Sequence, residues 1–171
     1  MPDKWTFNIR PIKELLDDYV PKDGVGWIDP FAGQNSPAEL RNDLNPNTDA
    51  QHHLDALAFV KCVDDSVKRF DGCLFDPPYS LRQIKESYES VGVDYNKLSD
   101  RSGAFTDVRD ILAHLILPGG VVICCGWNTN GFAKIRGFIL ERVLVVAHGG
   151  NHHDTLVTVE RKSQKLEFND A

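Results

Sequence analysis

The sequence predicts an α/β fold: a mainly parallel sheet covered by helices on both faces and closed by a C-terminal antiparallel hairpin. Three observations carry this. Apolar runs at 25–29, 72–76 and 121–125 end in polar or turn residues, as buried strands do. Helical spacings lie between most of them, and alternation of strand and helix implies parallel pairing. The β-rich runs 139–147 and 155–160 are joined by His148-Gly149-Gly150-Asn151, a hairpin signal.

Ile12, Leu15, Leu16 and Tyr19 recur at helical spacing until Pro21 and Gly24 stop them. Strand 25–29 follows, then a more polar strand candidate at 38–44. Leu54, Leu57 and Ala58 predict a helix before strand 72–76, with His52 and His53 on its polar side. Residues 80–105, rich in Ser, Gly, Tyr and charge, read as a long mobile connection. Val108, Ile111, Leu112 and Leu115 predict a helix ending before Pro118-Gly119-Gly120, which leads into strand 121–125. One domain spans 1–162, and 163–171 reads as a polar tail.

At 171 residues the chain is long enough to bury one continuous core, and 42% hydrophobic with 26% charged content excludes a disordered or collagen-like polymer. No apolar run approaches the roughly 18 residues that cross a bilayer, and Met1-Pro2-Asp3-Lys4 leads into no signal segment, so a soluble, cytoplasmic protein is expected. Cys62, Cys73, Cys124 and Cys125 lack CxxC spacing, and with Cys124-Cys125 in an apolar run they read as buried thiols rather than a disulfide framework. The net charge of −6 opposes binding nucleic acid by bulk electrostatics.

In an open α/β sheet, ligands sit outside the carboxyl ends of the strands. Asp29-Pro30-Phe31-Ala32-Gly33 ends the first strand with an acid and a small turn that leaves backbone room for a cofactor. Asn42-Asp43 ends the next with an acid placed to accept from ribose hydroxyls. Asp76-Pro77-Pro78-Tyr79 is the strongest signal. Two prolines remove two backbone donors, so the Asp76 carboxylate and nearby carbonyls face a ligand as acceptors while Tyr79 presents a ring. That chemistry suits a planar base bearing an exocyclic amine.

These residues resemble the amino-directed methyltransferases that use S-adenosyl-L-methionine, especially the adenine-N6 DNA methyltransferases. DPFAG at 29–33 looks like their first motif and DPPY at 76–79 like their catalytic motif. The resemblance implies a Rossmann-like methyltransferase sheet in which Asp29, Phe31, Ala32, Gly33 and Asp43 line the cofactor, with Asp43 at its ribose. It implies that Asp55 and Ala56 meet the cofactor adenine, and that Asp76, Pro77, Pro78 and Tyr79 handle the target amine. Residues 7–19 look like the helix covering the methionine end, and Leu117-Pro118-Gly119-Gly120-Val121 like the turn entering that fold's fifth strand. Compact phage-borne adenine methyltransferases share the layout DPPYS, a Gln-containing helix and Gly-Trp-Asn, here Asp76 to Ser80, Gln83 and Gly126-Trp127-Asn128. Together the matches cover most of 5–161.

Two departures stand out. The usual second glycine after Gly33 is replaced by Gln34-Asn35-Ser36, and the 14 positions from Asp29 to Asp43 cannot hold a turn, a full helix and a strand. The helix that normally approaches the cofactor is therefore expected to shrink to a loop. No separate recognition domain fits between Gly33 and Tyr79, so sequence readout must come from 80–105, from 126–137 or from another subunit of a homo-oligomer. His148, His152 and His153 read as a polar turn rather than a metal site, for they lack further ligands at zinc spacing. Arg82, Lys85, Arg101, Arg109, Lys134 and Arg136 flank the expected cleft as phosphate-contact candidates.

The expected activity is methyl transfer to the 6-amino group of adenine flipped out of DNA, with no metal. Methylation of an RNA base is the alternative substrate, and a non-catalytic nucleic-acid or partner-binding module is the alternative class.

Overall fold

The computed structural model describes residues 6–94, 105–149 and 153–164. Its six strands are β1 (Trp27–Asp29), β2 (Leu40–Arg41), β3 (Phe70–Phe75), β4 (Ile116–Gly126), β5 (Phe138–Val146) and β6 (Thr155–Lys162). Four ten-residue helices accompany them: α1 (Arg10–Tyr19), α2 (Ala56–Asp65), α3 (Leu81–Ser90) and α4 (Thr106–Leu115). The sheet order is β2-β1-β3-β4-β6-β5. β2, β1, β3 and β4 pair in parallel, whereas β6 runs antiparallel to both β4 and β5.

Side chains alternate across a strand, so the inner strands build two cores. Cys73 and Phe75 of β3 and Val122 and Cys124 of β4 pack with Phe59 and Val60 of α2 and Leu112 and Leu115 of α4. Leu74 of β3 and Val121, Ile123 and Cys125 of β4 pack with Ile12, Leu15 and Leu16 of α1. Burial on both faces explains why 121–125 reads as an unbroken apolar run.

Several sequence boundaries move. β1 starts at Trp27 rather than 25, because Gly24 (φ 69°) and Gly26 (φ 80°) turn the chain immediately before it. The strand expected over 38–44 shrinks to two residues, and no helix forms between β1 and β2, as the short interval requires. α2 begins after Asp55, whose carboxylate accepts from the N–H groups of Leu57 (2.9 Å) and Ala58 (3.2 Å). Its buried stripe is Ala56, Phe59, Val60 and Val63, while Leu54 lies outside the helix and is exposed. His52 and His53 are not helical either. His52 bridges Asn42 in parallel, extending the sheet edge by one residue beyond β2, and the His53 ring lies against the Asp43 carbonyl.

The largest correction is α3, which occupies ten residues of the segment expected to be a mobile connection. Ser80 starts it by accepting from the Gln83 N–H at 3.2 Å. Charged pairs Arg82–Glu86 and Lys85–Glu89 at i,i+4 line its exposed face. Residues 95–104 of that segment, including Arg101, lie outside the described residues, as do His152 and 165–171 of the expected tail. No helix among the described residues is long and apolar enough to cross a membrane.

Candidate active site

Parallel pairing brings the carboxyl ends of β1, β2, β3 and β4 to one edge of the sheet, and with them Asp29, Asp43, Asp76 and Trp127. Asp29 is fully buried. Its Oδ1 accepts from the Phe31 N–H at 2.9 Å and its Oδ2 from the Ser36 hydroxyl at 2.6 Å. Burial outweighs both bonds and pushes its carboxyl up to about 7, with the Asp76 and Asp43 charges adding to the rise. Asp43 closes the turn after β1: its Oδ2 accepts from the Gly33 N–H and its Oδ1 from the Asn45 N–H, both at 2.8 Å. Buried Asn42 stitches the neighbouring segments, donating to the carbonyls of Pro30 (3.1 Å) and Leu54 (3.0 Å) and accepting from the Leu54 N–H (2.9 Å).

Asp76 follows β3 directly. The Tyr79 hydroxyl donates to its Oδ1, and Thr6 supplies a second side-chain hydrogen bond. Burial raises the Asp76 carboxyl despite both bonds. Burial and the Asp76 charge drive the Tyr79 phenol upward, so it stays protonated and acts as a donor. The Tyr79 N–H donates to Gln83 Oε1 at 2.7 Å, tying the Pro77-Pro78 turn to the first turn of α3. A cleft of about 330 Å³ opens beside the Pro77-Pro78 turn, bordered by Pro77, Tyr79, Arg109 and Trp127 among others, while Asp76 lies behind its lining. Trp127 is 40% exposed, edge-on to Tyr79 at 5.7 Å between ring centres and tilted against His153 at 4.6 Å. Glu160 on β6 holds the loop after Trp127, accepting from the N–H groups of Phe132 (2.6 Å) and Ala133 (2.8 Å).

No family profile matches the chain, and no curated protein matches it by sequence. Solved structures do match. SMU.776, described as a methyltransferase and complexed with S-adenosylhomocysteine, superposes with a TM-score of 0.58 at 10% identity, over 90% of this chain and 49% of that one. The N-methyltransferase NodS of Bradyrhizobium japonicum, likewise with S-adenosylhomocysteine, gives 0.55 at 11% identity over 92% and 91%. This chain has the Rossmann-like methyltransferase fold. TrmN of Thermus thermophilus also matches, with 0.55 at 18% identity over 90% and 47%, so the chain spans about half the length of SMU.776 and TrmN.

On the methyltransferase fold the predicted residues divide by access. Gly33, Asp43, Asp55, Pro78 and Tyr79 reach the surface of the sheet edge in part. Phe31 turns its ring into the packing, edge-on to Phe75 (5.3 Å) and Phe105 (4.9 Å), and Ala32 and Ala56 are buried, so these three offer a ligand little beyond backbone. Asp55 is committed to capping α2 and also accepts from the Tyr88 hydroxyl of α3. Thr6, Ser36 and Tyr88 were not legible as site residues. Each is an ordinary polar residue in sequence; Thr6 and Tyr88 acquire their roles by meeting Asp76 and Asp55 across the fold, and Ser36 by a loop that returns it to Asp29 seven residues before. Among the described residues no group of three His, Cys, Asp or Glu side chains is arranged to hold a metal.

Proposed function

We propose that the chain is an S-adenosylmethionine-dependent methyltransferase acting on the 6-amino group of adenine in DNA. The observation that carries the reading is the Asp76 carboxylate at the end of β3, followed by two donorless prolines and Tyr79 at the mouth of a cleft. A carboxylate and a proline carbonyl accept amine protons and favour a pyramidal nitrogen whose lone pair is free to attack. Tyr79 and Trp127 offer aromatic faces on which a flipped base stacks.

The residues at the ends of β1 and β2 fit the cofactor. Asp43 is partly exposed and spends one acceptor site of each oxygen on Gly33 and Asn45, which leaves carboxylate lone pairs for a ribose diol. Gly33, at φ 54°, brings backbone close without a side chain. Asp55 would meet the adenine end only by sharing its carboxylate with Tyr88. When bound, S-adenosylmethionine supplies an electrophilic methyl group on a sulfonium sulfur. The protein's part is to hold the amine in line and fix its geometry through Asp76, whose ionised form the Thr6 and Tyr79 hydrogen bonds favour against the effect of burial.

The test is transfer of labelled methyl to unmethylated genomic DNA, with RNA in parallel, followed by nucleoside analysis. Label in the N6-methyldeoxyadenosine of DNA is expected. Label confined to RNA would move the substrate, and no S-adenosylmethionine binding by calorimetry would favour a non-catalytic module. Within the enzyme, Asp76→Ala should lower turnover by at least ~10²-fold with little change in cofactor affinity, the scale of one lost preorganised contact. Asp43→Ala should instead weaken cofactor binding by about 1.5–3 kcal/mol.

A further inference from the structure

The cationic side chains flanking the cleft differ in their partners. Arg82 pairs with Glu86 (2.7 Å) and Lys85 with Glu89 (3.6 Å) on the exposed face of α3. Arg136 pairs with Asp110 (2.6 Å) and also donates to the Phe132 carbonyl (3.2 Å). Arg109 is different. It lines, from α4, the same cleft that Pro77 and Tyr79 line, with its guanidinium carbon 4.9 Å from the centre of the Phe75 ring. Its Nε is buried and meets no hydrogen-bond acceptor among the described residues. The carboxylates that act on it electrostatically are committed elsewhere, Asp110 to Arg136 and Glu160 to the Phe132 and Ala133 amides.

A buried donor without a partner is costly, and a guanidinium keeps its charge at all ordinary pH values. The aromatic face of Phe75 stabilises that charge and fixes the plane of the fork without using its N–H groups. An arginine offers donors only, so it cannot read the amine edge of a base, and its fork matches phosphate oxygens. In a chain of net charge −6, capture of a polyanion must rest on such local cations.

We propose that Arg109 anchors the phosphate of the nucleotide whose amine enters the cleft. This rests on the nucleic-acid reading above and names the group that recognises the substrate backbone there.

The test uses the full chain as wild type, Arg109→Gln and Arg109→Lys, with calorimetric binding of 5′-dAMP, deoxyadenosine and S-adenosylhomocysteine. Wild type should prefer 5′-dAMP to deoxyadenosine. Arg109→Gln should lose at least about tenfold for 5′-dAMP, the scale of a charge-assisted contact, while deoxyadenosine stays within about twofold. Arg109→Lys keeps the charge without the fork and should recover part of the loss. Unchanged S-adenosylhomocysteine binding shows that the fold and cofactor side are intact in each variant. As a second readout, the salt slope of KM for a single-stranded oligonucleotide should fall by about one phosphate's worth in Arg109→Gln. Equal losses for nucleoside and nucleotide would assign Arg109 to the base or to packing and overturn the proposal, as would a wild type with no preference for 5′-dAMP. DNA methylation that persists with unchanged KM in Arg109→Gln would refute the anchor alone. Absence of methyl transfer to any nucleic acid would refute the function, while the nucleotide binding comparison still decides the anchor.

Discussion

Asp29 links folding to pH because its carboxyl, 3.8 in the unfolded chain, rises to about 7 when buried at the end of β1. Between those values the folded chain holds a proton that the unfolded chain has released, so stability falls as pH rises through this window. At about 1.4 kcal/mol per unit, the full effect is up to roughly 4 kcal/mol. Asp29→Asn keeps an acceptor for the Phe31 N–H and an amide that can donate to Ser36. Urea melts at about pH 4.5, 6 and 8 are therefore expected to show the Asp29→Asn variant matching wild type at the acid end and exceeding it at the alkaline end by roughly a few kcal/mol. Parallel curves at all three values would show that Asp29 is not protonated in the fold. Asp76 has the same direction of shift, and under the proposed function this carries a catalytic consequence, since it is the ionised form that would accept hydrogen bonds from the amine. The acid limb of kcat should lie above the ordinary carboxylate range, and Thr6→Val should move it to still higher pH by removing a bond that favours the anion. A limb unmoved by Thr6→Val would remove Thr6 from the site.

At the scale of elements, α3 is held by little. Ile84 is its buried residue, Ser80 caps one end, Gln83 grips the Tyr79 N–H, and the Tyr88 hydroxyl ties its last turn to Asp55 at the start of α2. A helix with so small an apolar face opens locally well below the global unfolding free energy. Hydrogen exchange should show α3 opening before α2 and α4, and Tyr88→Phe should speed its exchange without touching the α2 cap. Asp55→Ala should do the same and also cost about 1 kcal/mol from the lost cap. Equal protection in α3 and α4 would mean that α3 is packed more firmly than its contacts indicate. The sequence read 80–105 as loop because α3 lacks the apolar periodicity of a core helix. Its signal lay in the Ser80 cap and the i,i+4 charge pairs, which are weak without a buried stripe.

The whole molecule leaves β5 as an edge strand with Ile139 (60% exposed), Leu140, Val143 and Val145 (59%) in the open. Long apolar edges are templates for pairing with another chain. Sedimentation velocity over a concentration series is expected to show reversible self-association, and Val143→Lys combined with Val145→Lys to suppress it. A wild type that remains monomeric throughout would leave the edge without a partner.

Local chemistry made much of the candidate site's backbone setting readable in advance. An acid ending an apolar run, two prolines and a tyrosine declare their geometry within four residues, because proline and strand periodicity act on the adjacent backbone. The order of Asp29, Asp43 and Asp76 along the chain, and the interval too short for a helix before β2, follow from the same near-neighbour rules. Long-range packing decided the rest. Thr6 reaches Asp76, Tyr88 reaches Asp55, and the Nε of Arg109 is buried without a partner beside the cleft because helices and strands distant in sequence converge on one edge of the sheet. Burial, and with it the raised carboxyls of Asp29 and Asp76, exists only once both faces of that sheet are covered.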